Sequence, residues 1–231
     1  MSLQNIHLKF PLLLLFWLTL LRTFAQPIAT DTTAFERNSL QHRIPLKAFI
    51  IPSVLIGGGV ALLDSRTREP FQTMNVVTHL DDYLVVSPYA LRVGLQVAGV
   101  KPNIKLGDEI AVTIVANVLA GGVTEGLKRT VGSLRPNGED RKSFPSGHAA
   151  ISFTGAELLH QAYRHKSPWI SVAGYTLATA TSVLRVANLH HHWGDVLAGA
   201  GIGIASVKLT YLAYPLVKKQ FSRHRKQRVK D

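Results

Sequence analysis

Long apolar stretches that never alternate are what most limit the folds open to this chain. They run over 48–63, 83–100, 109–127, 147–163, 167–186 and 193–217. A half-buried strand needs apolar side chains at every second position, because successive side chains point to opposite faces of a sheet. No such period persists anywhere along the chain, and no internal repeat breaks it into units. The expectation is an all-α fold, a bundle of about six core helices. The last stretch contains GAGIGIAS, whose small residues let helix backbones approach closely. The first, AFIIPSVLIGGGVALL, carries Pro52 and three consecutive glycines, so a bent helix is expected there.

A bilayer span takes about 20 mostly apolar residues. Only 167–184 approaches this without a charge; Arg92, Glu125, Glu157 and Lys208 interrupt or bound the others. Charged residues are 17% of the chain and hydrophobic ones 46%, low and high for a soluble domain, which favours a membrane-embedded bundle. The basic loops KPNIKL and YRHKSP and the basic end all belong on the cytoplasmic side by the positive-inside rule. That puts the loop 128–148 on the opposite side and requires a cytoplasmic start before Ala48. A cleaved leader would leave the start outside. One apolar segment is therefore expected to lie in the interface without crossing, or the protein to be only partly embedded.

The first 25 residues read as an export signal. FPLLLLFWLTLL has the length of a signal-peptide core, and Thr23 and Ala25 are small residues where signal peptidase reads, so cleavage is expected after Ala25. Residues 26–45 are polar and aperiodic, a linker; 46–217 form the helical domain; 218–231 form a basic tail with seven Lys/Arg against one Asp. The formal charge is +12, which suits anionic lipid or a phosphorylated substrate. No zinc-finger spacing or RNA-binding aromatic pattern accompanies it, so nucleic acid is not an expected partner. With no cysteine, disulfides, thiolate metal sites and a cysteine nucleophile are excluded.

Three short segments carry chemistry. In SFPSGHAA, Ser146 suits an N-cap, Gly147 allows a tight backbone path, and an apolar helix follows His148. The first amides of such a helix lack internal acceptors and lie at its positive end, where phosphate commonly binds. Taken alone, the segment reads more readily as a capped helix start with an incidental histidine. Upstream, KRTVGSLRP holds Lys128 and Arg135 on either side of Gly132, which alone is also an ordinary basic loop. Downstream, RVANLHHHWGD holds Arg185, His191 and Asp195. His191 and Asp195 are four apart, so on a helix they share a face and the carboxylate can fix one imidazole nitrogen while the other attacks. His190, His191 and His192 also invite a metal, although consecutive histidines do not readily converge on one ion.

Together, Lys-x6-Arg-Pro, Pro-Ser-Gly-His and Arg-x5-His-x3-Asp, in that order at the ends of apolar helices, closely resemble the type 2 phosphatidic acid phosphatase (PAP2) family. That family shares its core with vanadium-dependent haloperoxidases. The resemblance covers about residues 45–217, with its specific signal within 128–195. It implies that His191 attacks phosphorus to form a phosphohistidine and that Asp195 orients His191. It implies that His148 protonates the leaving oxygen and then activates water. Lys128, Arg135, Arg185, Ser146 and Gly147 would hold the phosphoryl oxygens. No metal and no cofactor is implied. One position departs from the pattern: Leu184 stands where the family usually has a serine, with Ser182 two residues earlier.

The expected activity is hydrolysis of a membrane lipid phosphate at the periplasmic face. Phosphatidic acid, phosphatidylglycerol phosphate, undecaprenyl diphosphate and lipid A remain open as substrates. Alternatives are a soluble exported acid phosphatase of the same family, a vanadate haloperoxidase, and a phospholipid-binding protein without catalysis.

Overall fold

The computed structural model describes residues 44–63 and 78–228, with the backbone alone over 219–228. The leader and almost all of the 26–45 linker lie outside the described residues. Among the described residues there are seven α-helices and no strand. A 3-10 turn at Leu46–Phe49 leads into α1 (Ile50–Ala61). Then come α2 (Leu80–Leu84), α3 (Ser87–Val97), α4 (Leu106–Val131), α5 (Gly147–Tyr163), α6 (Pro168–Ala187) and α7 (Trp193–Arg228).

Local chemistry sets most of these ends. α5 starts at Ser146, whose hydroxyl accepts from the Ala149 amide at 3.4 Å. Ser167 caps α6 in the same way, with Pro168 just inside the helix where its missing N–H costs nothing. α4 carries Asp108 and Glu109 in its first turn and Lys128 and Arg129 in its last, matching the helix dipole at both ends. Gly132 closes it in the left-handed region, at φ 61°.

Two expectations need correcting. The apolar stretch 83–100 is not one helix: the chain breaks at Val85–Val86, between α2 and α3. Ser87 bonds its hydroxyl to the Leu84 carbonyl at 2.6 Å, and Pro88 restarts the helix. The helix expected over 193–217 does not end at Val217: α7 passes Pro215 and continues to Arg228.

α7 is the axis of the bundle. Of its apolar window, 78% is buried, against 22% for α4 and 39% for α6. Its glycines explain how neighbours come so close. Gly199 and Gly203 are one turn apart on one face and lie against α5; a Cβ at Gly203 would stand 2.9 Å from the Thr154 amide. Gly194 and Gly201 are two turns apart on another face and lie against α1; a Cβ at Gly201 would stand 2.6 Å from the Pro52 carbonyl. The small-residue stretch therefore packs α7 between two backbones.

Three helices are long and apolar enough to cross a membrane: Leu106–Val131, Pro168–Ala187 and Trp193–Lys218. Charges that interrupt the apolar stretches turn inward and pair. Glu157, 1% exposed, accepts from Lys208 at 2.8 Å and Gln161 at 2.6 Å and bonds the Tyr175 hydroxyl. Arg92 meets Glu109 at 2.6 Å, both buried. Charges inside apolar bundles are tolerated when they pair in this way. At 12 and 11 residues, α1 and α3 are about 18 and 16 Å long, short of a 30 Å hydrocarbon core.

The order of directions matters most for function. The C-terminal ends of α4 and α6 and the N-terminal ends of α5 and α7 meet at one end of the bundle, through bonds such as Ser146 N–H to the Asp195 carbonyl at 2.9 Å. The α5–α6 connection and the loop before α4 meet at the other end, where Asn103 N–H bonds the Ala162 carbonyl at 3.1 Å. There too Lys218 pairs with Asp108 at 2.6 Å.

Candidate active site

All three sequence segments come together where those four helix ends meet. The turn Phe144–Pro145 is cis and delivers Ser146, Gly147 and His148 to the start of α5. Lys128, in the last turn of α4, lies alongside: a Cβ at Gly147 would sit 3.9 Å from Lys128 Cε. Its ammonium donates to the Lys142 carbonyl at 2.6 Å.

His191 is buried, 2% exposed, in the turn before α7. Its Nδ1 is 3.6 Å from Asp195 Oδ2, just beyond hydrogen-bond length. That oxygen also takes the His192 amide at 2.8 Å and the Ser143 hydroxyl. Asp195 is thus fixed from two sides and faces Nδ1, leaving Nε2 as the free nitrogen. Burial drives the His191 pKa down to about 4; Asp195 opposes this, and Lys128 and Arg185 add to it. The imidazole is therefore neutral at neutral pH, the state a nucleophile requires.

Arg185 ends α6 and is buried. Arg135 lies in the loop before α5, with Nε on Asp140 at 2.8 Å and NH1 reaching the His190 carbonyl at 3.5 Å. His148 opens α5 with Nε2 3.1 Å from Asp82 Oδ1. Burial, then the Arg185 charge, lowers its pKa, while Asp82 and Asp81 raise it.

The three consecutive histidines diverge. His191 faces Asp195, His192 Nε2 reaches the Leu134 carbonyl at 3.3 Å, and His190 Nδ1 lies 3.9 Å from Asp81. Among the described residues no three His, Asp or Glu side chains group as metal ligands. Leu184 lines an open apolar groove along α6 with Val172, Thr176 and Val183, and the Ser182 hydroxyl is buried without a hydrogen-bond partner.

Sequence reasoning missed four residues. Ser143 and Asp140 lie within or beside the quoted segments, and their contacts with Asp195 and Arg135 depend on loop geometry. Asp81 and Asp82 are more distant. Asp81, 1% exposed, takes Arg185 NH1 at 2.6 Å and Asn188 Nδ2 at 2.8 Å; Asp82 takes Arg185 NH1 at 3.4 Å. The available signal was an adjacent acid pair in a chain with 14 Asp/Glu against 26 Lys/Arg.

Residues 110–219 match the family model described as the PAP2 superfamily. That match takes in all three motif segments, from Lys128 to Asp195. Over 182 residues, 78% of its length, the chain is 32% identical to a lipid A 1-phosphatase of Porphyromonas gingivalis. Over 112 residues it is 30% identical to lipid phosphate phosphatase 2 of Arabidopsis thaliana, an alignment covering 44% of the chain. It spans 40% and 35% of the lengths of these two relatives. Among solved structures it is similar to Aquifex aeolicus LpxE, with a TM-score of 0.44 and 21% identity over 65% of this chain and 92% of that one. It is also similar to a transmembrane PAP2 type phosphatidylglycerolphosphate phosphatase from Bacillus subtilis, with a TM-score of 0.36 and 16% identity over 90% and 94% of the two chains.

Proposed function

We propose that this chain is a metal-independent lipid phosphatase working through a phosphohistidine on His191, with its site at the periplasmic face. The observation that carries the reading is a buried, neutral His191 backed by Asp195, beside a helix N-terminus and among cations. Phosphoryl transfer asks chiefly for positioning and charge stabilisation. Lys128, Arg135 and Arg185 supply positive charge, and Ser146 with the Gly147 amide adds donors.

In the first half-reaction His191 Nε2 bonds to phosphorus as the bond to the leaving oxygen breaks. His148 gives that oxygen its proton. In the second, water attacks phosphorus, passes a proton to His148, and the P–N bond breaks. Asp195 remains ionised and stabilises the positive charge that develops on His191.

A lipid substrate is supported by three helices of membrane-spanning length and by the groove ending at Leu184, next to Arg185, which would take an acyl chain. Lipid A is the first candidate because of the Porphyromonas gingivalis relative; phosphatidic acid, phosphatidylglycerol phosphate and undecaprenyl diphosphate follow. The outward orientation is supported by Lys101, Lys105, Arg164 and Lys166, which cluster at the end of the bundle opposite the site.

The test is phosphate release by the full chain in detergent with EDTA, from lipid A, phosphatidic acid, undecaprenyl diphosphate and a soluble aryl phosphate. Wild type should release phosphate from a lipid, and His191→Ala should release none while keeping its helical circular dichroism. Full turnover by His191→Ala would refute the phosphohistidine. Release from the aryl phosphate alone would turn the reading to a soluble acid phosphatase.

A further inference from the structure

We infer that Asp82 is the positioning residue of His148, orienting its ring and supplying the counter-charge to the imidazolium that delivers a proton to the leaving oxygen. The inference rests on the phosphatase reading above. Asp82 Oδ1 lies 3.1 Å from His148 Nε2 and 3.4 Å from Arg185 NH1. By taking Nε2–H it leaves Nδ1 as the nitrogen that carries the transferable proton. The arrangement parallels Asp195 and His191: two histidines, each with its own carboxylate.

Asp82 is half-exposed, yet it is held in place. Its neighbour Asp81 is buried against Arg185 at 2.6 Å and Asn188 at 2.8 Å. Asn188 in turn donates to the Thr78 carbonyl at 2.8 Å and accepts from the Thr78 amide at 3.3 Å. These bonds fasten α2 to the end of α6. Adjacent residues on a helix point about 100° apart, so one acid is buried on the arginine while the other stands at the rim beside His148.

The surroundings make such a carboxylate necessary. The Arg185 charge of α6 acts on His148, and Lys128 of α4 lies against the adjoining Gly147. Asp82 and Asp81 of α2 act on it in the opposite sense, and His79 Nδ1 is 3.7 Å from Asp82 Oδ2. Burial and the arginine both disfavour an imidazolium. Asp82 is the counter-charge that touches the ring.

Leaving-group dependence tests this in the full-length chain in detergent. A nitrophenyl phosphate leaves with little need of a proton, whereas phosphatidic acid expels an alkoxide that needs one. Asp82→Asn should lower kcat/KM about 10- to 100-fold on phosphatidic acid and less than about threefold on the nitrophenyl ester. Its alkaline limb should move to lower pH, since an acid catalyst is lost above its pKa and removing the carboxylate lowers that pKa. Asp82→Glu should recover part of the loss. His148→Ala should show the same contrast between substrates, more strongly. Equal losses on both substrates for Asp82→Asn, with the contrast kept by His148→Ala, would overturn the role of Asp82 alone. A faster Asp82→Asn enzyme with a lower KM would also overturn it, making Asp82 an occupant of the phosphate site. If His148→Ala shows no contrast, the acid assignment falls and this inference falls with it.

Discussion

Replacing Asp195 by asparagine tests the core of the proposed mechanism, because it removes a charge while keeping shape. The side-chain amide of Asp195→Asn retains an acceptor for the His192 amide and stays within reach of the Ser143 hydroxyl, so the α7 entry should hold. What is lost is the negative charge 3.6 Å from His191 Nδ1. Two unit charges at that distance interact by roughly 5 kcal/mol at an effective dielectric constant near 20. The partner charge on His191 exists only once its Nε2 has bonded to phosphorus, so the interaction acts on the transition state and not on the free enzyme. At 1.36 kcal/mol per tenfold, kcat/KM should fall on the order of 1,000-fold or more. Steady-state phosphate release in detergent gives the ratio, and circular dichroism checks that the helices persist. The acid limb gives a second reading. Asp195 raises the His191 pKa against a stronger pull from burial, so its loss should take that pKa below about 4. The nucleophile is active when neutral, so the acid limb should move to lower pH or leave the accessible range. A folded Asp195→Asn protein within tenfold of wild type, beside an inactive His191→Ala, would refute the orienting and charge-stabilising role.

Two further perturbations separate charge from packing. Arg135→Ala and Arg185→Ala should each cost on the order of 100-fold or more in kcat/KM, measured by phosphate release, because each removes a fixed cation near the developing charge. Arg185→Ala should also destabilise the fold, since it leaves Asp81 buried without its cation; a lower midpoint in thermal circular dichroism would report this. Gly203→Val should lower the midpoint far more without touching a charged residue, because its Cβ would stand 2.9 Å from the Thr154 amide and force α5 off α7. An unchanged midpoint for Gly203→Val would mean the two helices are not packed backbone to backbone.

How much could be read from the sequence follows from how local each feature is. α5 was legible at both ends, from Ser146 as cap and YRHKSP as stop. The motif residues lie at or near helix ends, where caps, prolines and charges mark the chain, so their order along it was readable. The break at Val85–Val86 was not, because both residues are apolar and the following Ser87-Pro88 suits a helix start as well as a loop. The continuation of α7 was missed for the opposite reason: Lys and Arg are good helix formers, and a run of them looks the same whether it coils or not.

Charges that weakened the membrane reading are the clearest case of information absent from any window. Lys208 looks like an interruption of an apolar run, and Glu157 like another; at 2.8 Å they are partners 51 positions apart. Arg92 and Glu109 repeat the pattern across 17 positions. The site follows the same logic. Arg185 is separated from Asp81 by 104 positions, and neither residue alone announces the other. A buried guanidinium cannot stand in an apolar bundle without a counter-charge, so Arg185 at a helix end required an acid from elsewhere. The chain has 14 acids, and Asp81 and Asp82 form one of its three adjacent pairs. Burial of one on the arginine places the other beside His148, and a structural counter-ion thereby delivers a carboxylate to the proposed proton donor.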